Sequence, residues 1–389
     1  MRRSSGILSD ASRAKHIKGC AVKRILSIDG GGIRGVFSLQ ILAAIEALFR
    51  RQQQKDDLVL AKVFDLFAGT STGAIIATCL SWGMAVREIE DLYLQCGPEI
   101  FAKEHWYTRW KRKYRSEPIA RRFARKFCEG AEGSEPALLG SKRLLTRLLI
   151  VMRNASTGSP WPISNNPKAI FNDPSLPDCN LNIPIWKLLR ASTAAPTYFE
   201  PEEIQLGDHS FLFVDGGITP FNNPTLMAVF MATLPPYGLS WPASRELLHV
   251  VSIGTCNVRA KLPHKLAGDV NLLDAARFLP LALMDTIAGE QDFICRVLGD
   301  CVHGAVIDSE VKELNKPTLL SRDEQKFTYV RYDQAFDAEH SKALQLSKAE
   351  AELDDLTLIP LLQKMGRDYA SKHVHLEDLF PQKNEADYA

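Results

Sequence analysis

The feature that most constrains this chain is the run Phe67-Ala68-Gly69-Thr70-Ser71-Thr72-Gly73. Apolar Val63, Phe64, Leu66 and Phe67 lead into it and Ala74-Ile75-Ile76-Ala77 leave it, so it reads as a strand that turns directly into a helix. A serine between two glycines at such a turn has the layout of a nucleophile elbow. The serine is held in a strained conformation, and Gly69 and Gly73 let the helix and strand backbones approach with no Cβ between them. The same letters also describe an ordinary strand-to-helix loop, so Ser71 needs partners elsewhere in the chain.

A second strand-turn-helix unit stands upstream. Lys23 to Ile28 is a short apolar strand, Asp29-Gly30-Gly31-Gly32-Ile33-Arg34-Gly35 is the turn, and Val36, Leu39, Ile41, Leu42, Ile45 and Leu48 recur at helical spacing. Such a turn offers backbone N–H groups to an anion. A dinucleotide-binding fingerprint fits Gly30, Gly32 and Gly35 only loosely and lacks its acidic residue at the end of a second strand, and a P-loop lacks its Gly-Lys-Ser/Thr ending. The third reading is an oxyanion hole in which consecutive glycine amides converge on an intermediate formed at Ser71.

Downstream, Leu148–Met152 reads as a strand, 165–182 as a loop rich in Asn, Pro and Asp, Ile185–Ala191 as a helix, and Leu247–Gly254 as a buried strand. Phe211–Val214 is a strand that ends at Asp215-Gly216-Gly217. Near-continuous apolar strands alternating with helices predict an α/β fold, with a largely parallel sheet covered on both faces. Catalytic groups on such sheets collect after strand carboxyl ends, where Asp29, Ser71 and Asp215 each fall. None of the nine histidines sits in a glycine-flanked turn after a strand, and His249, inside an apolar strand, reads as core. Asp215 is better placed, and partial burial would raise its proton affinity above that of a carboxylate in water. A Ser71–Asp215 dyad is therefore the sharper expectation.

Composition narrows the setting. A formal net charge of +1 gives no global pull toward nucleic acid or membrane. Eight cysteines without paired spacing predict reduced thiols and a cytoplasmic protein. The first twenty residues lack the apolar core of a signal peptide, and no apolar run is expected to approach membrane-span length. Action at a membrane is therefore expected from its surface. Residues 103–126 interleave ten basic residues with aromatics such as Trp106, Trp110 and Phe123, which suits an anionic surface or equally a solvated helix whose rings face the core.

Four segments together, Asp29–Gly35, Gly69–Gly73, Arg190–Phe199 and Asp215–Pro224, resemble in order and spacing the patatin-like phospholipases, over roughly residues 23–256. The resemblance implies a three-layer α/β/α fold, Ser71 as nucleophile, Asp215 as base, an oxyanion hole of Gly30, Gly31 and Gly32 amides steadied by Arg34, and hydrolysis of phospholipid acyl esters through an acyl-enzyme without metal or other cofactor. Cys256 stands where relatives often carry Gly. Farther on, Gln291–Arg296 and Tyr329–Tyr332 look similar to bacterial anti-phage effectors of this family, which cyclic oligonucleotides switch on. The expected organisation is a disordered tail over 1–20, the hydrolase domain over 21–310 and a helical extension over 311–389 packed on it. Expected partners are the phospholipid surface at the inner face of the membrane and a cyclic oligonucleotide, with a homodimer as an open option and no nucleic-acid polymer. The competing reading is a catalytically silent patatin fold that binds membrane or nucleic acid.

Overall fold

The computed structural model describes residues 21–100, 117–131, 134–196, 198–256, 272–307, 317–335 and 356–379. The chain alternates strands with helices as its apolar runs require: β1 (Lys23–Ile28), α1 (Gly35–Gln53), β2 (Leu66–Thr70), α2 (Thr72–Ser81), α3 (Val86–Ile100), α4 (Glu117–Lys126), β3 (Arg147–Asn154), β4 (Ser159–Ser164) and α5 (Ile185–Ser192). Then follow β5 (Glu202–Leu206), β6 (His209–Asp215), α6 (Thr225–Thr233), β7 (Leu248–Ile253), α7 (Leu272–Leu298), β8 (Asp300–His303), β9 (Thr328–Tyr332), α8 (Ile359–His373) and α9 (Leu376–Leu379).

The sheet runs β5-β6-β3-β2-β1-β7-β9-β8, with β4 on the other edge of β3. The six strands from β3 to β8 pair in parallel, whereas β4, β6 and β5 are antiparallel additions. Alternate residues of the buried strands serve opposite layers. Leu26, Ile28, Phe67, Ile150, Val251 and Ile253 pack with α1, α2, α5 and α8, while Ile25, Leu66, Ala68, Leu149, Val151 and Val250 pack with α6 and Cys295 of α7. This is the three-layer α/β/α arrangement.

Two expectations need correction. Residues 311–389 are not only helical, because Thr328-Tyr-Val-Arg-Tyr332 inserts as β9 between β7 and β8. Its aromatic and β-branched side chains suit a buried strand, and a boundary at 310 would separate β8 from the strand it pairs with. Also, the helical stretch Gly32–Gln53 is long and apolar enough to cross a membrane by length and composition. Its apolar window is 72% buried, and α8 packs along it. It is a core helix here.

The expected basic-aromatic segment lies outside the described residues over 101–116. In its remaining part Phe123 and Phe127 are buried, with Phe127 edge-on to Trp82 at 5.4 Å, while Arg121, Arg125 and Lys126 are exposed.

Candidate active site

Strand register brings Ser71 and Asp215 together. Thr70, the last residue of β2, pairs with Val151 of β3, so Ser71 emerges level with Met152. β3 continues past that point to Asn154, and β6 pairs antiparallel along the overhang with Asp215 opposite Met152. β4 fills the other edge of β3. β2 and β6 therefore meet end to end along one edge of β3, with the serine and the carboxylate at the meeting point. The sequence reading placed Asp215 by the parallel-strand rule, but it arrives on an antiparallel strand.

At the junction the Ser71 hydroxyl donates to Asp215 Oδ2 at 2.7 Å. Ser71 has φ 54 and ψ −121, a sparsely populated conformation that costs about 1–3 kcal/mol and that the surroundings must hold. They do so closely. A Cβ on Gly69 would lie 2.1 Å from the Gly73 carbonyl oxygen, and one on Gly73 would lie 2.2 Å from that of Ile28. The Ser71 amide donates to Ser192 Oγ at 2.9 Å, and Ser192 donates in turn to the Val151 carbonyl at 2.6 Å. Ser192, which the sequence reading did not single out as a site residue, thus ties the elbow to α5 and β3.

Asp215 is only 5% exposed. Burial pushes its carboxyl up to about 6, against the opposing effect of hydrogen bonds from the Gly217 amide (2.6 Å to Oδ1) and Ser71. A carboxylate with that affinity is a usable base near neutral pH. His249 is buried in β7 and pushed down to about 4 by burial, which keeps it neutral.

The glycine loop lies beside the elbow, and a Cβ on Gly30 would fall 3.4 Å from the Ser71 Cβ. Its carbonyls are tied back: Gly30 O accepts from Thr255 Oγ1 (3.0 Å), Gly31 O from Arg34 Nε (3.2 Å) and Gly32 O from Tyr93 OH (2.6 Å). Tyr93 also bonds the Thr72 hydroxyl. In a trans peptide the N–H points opposite the preceding C=O, so these anchors turn the Gly31, Gly32 and Ile33 amides away from the groups that hold the carbonyls. The Gly30 amide is already engaged, donating to Asn222 O at 3.0 Å. Of the three glycine amides expected to face an oxyanion, that of Gly30 is therefore already occupied by a backbone carbonyl. Arg34 also reaches Cys256 O at 3.3 Å.

A cavity of about 570 Å³ opens at the amino ends of β1, β2 and β3, lined by Lys23, Arg24, Lys62, Arg147 and Trp241 among others. It lies at the opposite end of the strands from Ser71. Among the described residues, no group of three or more His, Cys, Asp or Glu is placed to hold a metal ion.

A family model described as patatin-like phospholipase matches residues 26–229, which takes in the second half of β1, the glycine loop, the elbow and Asp215. This chain belongs to the patatin-like phospholipase family. Among curated proteins it is 31% identical over 245 residues to the cGAMP-activated phospholipase of Escherichia coli, covering 60% of this chain and 62% of that protein. It is 31% identical over 264 residues to the cGAMP-activated phospholipase of Vibrio cholerae, covering 63% and 68% respectively. Patatin-17 of Solanum cardiophyllum is 28% identical over 227 residues, covering 54% and 53%. This patatin-like chain thus spans about two thirds of the length of its cGAMP-activated relatives.

Proposed function

We propose that this patatin-family chain hydrolyses fatty-acyl esters of phospholipids at a membrane surface, with Ser71 as nucleophile and Asp215 as base, under the control of a cyclic oligonucleotide. The observation that carries the chemistry is the 2.7 Å hydrogen bond from a strained, glycine-bracketed serine to a buried carboxylate. Ser71 Oγ attacks the ester carbonyl carbon while its proton passes to Asp215 Oδ2. Charge developing on the carbonyl oxygen is met by the Gly31 and Gly32 amides, and each such donor contributes about 2.7–4 kcal/mol in comparable sites. Collapse expels the alcohol, which takes the proton from Asp215 and leaves an acyl-Ser71 ester. Water then attacks the acyl carbonyl carbon, giving a proton to the same carboxylate, and Asp215 returns that proton to Ser71 Oγ as the C–O bond breaks and the fatty acid leaves.

That its Escherichia coli and Vibrio cholerae relatives are cGAMP-activated phospholipases supports a phospholipid substrate and nucleotide control. Access from the cytoplasmic face of the membrane belongs to the same proposal.

The test is fatty-acid release from mixed phospholipid vesicles by wild type and Ser71→Ala, each with and without a panel of cyclic di- and trinucleotides. Release that disappears in the variant and depends on one nucleotide is the expected result. Release unaffected by Ser71→Ala would overturn the dyad. Nucleotide-independent release would overturn the regulation alone.

A further inference from the structure

The catalytic loop is fastened by a residue far outside the stretch that matches the family. Arg331 of β9 pairs in register with Ser252 of β7, and its guanidinium reaches across that strand to Asp29, the residue immediately before the three glycines. The contact is bidentate, with Nη1 to Asp29 Oδ1 at 2.9 Å and Nη2 to Oδ2 at 2.6 Å. Nη1 also donates to Ser252 Oγ (2.7 Å) and Nη2 to Asp333 Oδ2 (2.9 Å). The side chains of Arg331 and Asp29 are 3% and 1% exposed. Asp29 and Asp333 hold the guanidinium well above its ordinary range against burial, while burial pushes the Asp29 carboxyl up to about 6 against the opposing pull of Arg331.

The partner carboxylate does a second task. Asp333 Oδ1 accepts from the Cys256 amide at 3.1 Å, and Cys256 is a non-glycine residue at φ 63. That conformation is unfavourable for any side chain, so the turn 254–256 needs an external hold. The turn is the seat of the glycine loop: Thr255 Oγ1 donates to Gly30 O at 3.0 Å, and a Cβ on Gly31 would lie 2.2 Å from Thr255 Oγ1. Cys256 O receives Arg34, which also holds Gly31 O. Arg331 of β9 and Asp333 just past its end thus fix both the first residue of the loop and the surface on which it rests.

We infer that Arg331, with Asp333, is a positioning residue for the oxyanion loop: the fork on Asp29 sets where the Gly31 and Gly32 amides stand relative to Ser71. A purely structural ion pair would need neither a planar fork nor a shared partner that also holds the loop's seat. A lysine would keep the charge and lose the two-point geometry. The catalytic part of this inference rests on the hydrolase reading above, whereas the loop geometry does not.

The experiment compares wild type, Arg331→Lys and Asp333→Asn by three readouts: hydrogen exchange of backbone amides, active-site titration with a fluorophosphonate taken to completion, and kcat and KM on a soluble ester. Thermal melting identifies variants that fold. In Arg331→Lys, exchange at Gly31 to Arg34 should rise at least tenfold while β2 and β3 are unchanged. Since loss of one oxyanion donor lowers kcat about 10²–10³-fold, kcat per titrated serine should fall by up to that factor, with KM within about threefold. Asp333→Asn should show the same pattern more weakly. Unchanged exchange in the loop, or an unchanged kcat per titrated site, overturns the inference even if the melting temperature drops. If Arg331→Lys folds poorly, Asp333→Asn alone decides, and an unchanged kcat per site there also overturns it. A protein whose ester hydrolysis survives Ser71→Ala, yet whose loop exchange still rises on Arg331→Lys, would refute the dyad and keep the latch.

Discussion

Replacing Asp215 by Asn removes a charge that the fold holds at a cost. The carboxyl ordinarily titrates at 3.8 and is pushed up to about 6 in the folded chain. A difference of roughly two units corresponds to about 3 kcal/mol. The sign follows from proton linkage: the folded state binds this proton more tightly than the unfolded one, so the penalty is absent below pH about 4 and fully present above about 6. Asn preserves the shape and can still accept from the Gly217 amide, which now meets Oδ1 at 2.6 Å. Asp215→Asn should therefore be more stable than wild type at pH 7.5 by up to about 3 kcal/mol, and roughly half of that gain should appear between pH 5 and 7.5. Urea denaturation of both proteins at the two pH values measures it. The same substitution should lower hydrolysis about 10²–10⁴-fold, and wild-type kcat/KM should decline below pH about 6 as the base is protonated. A variant no more stable than wild type at pH 7.5, or a wild-type profile flat through pH 6, would refute the assignment of a buried, high-affinity carboxylate as base.

Two further substitutions test the surroundings of the dyad. Gly73→Ala would place a Cβ 2.2 Å from the Ile28 carbonyl oxygen, backbone that cannot yield locally. It should destabilise the fold by about 1–3 kcal/mol or more, read as a lower urea midpoint with an unchanged slope. Tyr93→Phe removes the hydroxyl that holds Gly32 O at 2.6 Å. It should reduce kcat about tenfold or more with KM nearly unchanged, and it should lower stability by about 1–3 kcal/mol, because the same hydroxyl also bonds Thr72 and its loss leaves both partners unpaired.

What could be read from the sequence was the local part of the site. The elbow and the glycine loop announce themselves because their steric demands fall on consecutive residues, and the structure shows those demands at Gly69 and Gly73. Asp215 was found by its strand and its glycines, but the reason it reaches Ser71 was not visible, since the overhang of β3 and the antiparallel entry of β6 are matters of register. The Gly30 amide was expected to be free for an oxyanion, and only the folded chain shows Asn222 O accepting from it. Arg331 is 302 residues from Asp29. No periodicity or spacing links positions so distant, and a short strand such as β9, between segments of weak pattern, leaves little local signal.

The end-to-end meeting of β2 and β6 makes β3 a ruler for the reaction. Asp215 and Thr70, the residue before Ser71, are both paired to its backbone, so the register between the two strands can change only in whole-residue steps of about 3.3 Å, each of which also sends a side chain to the opposite face of the sheet. Gradual slippage of one strand end past the other is thereby excluded. An insertion in β3 between Val151 and Met152 would move them apart by one full notch, whereas substitutions on the helices around it leave the gauge unchanged.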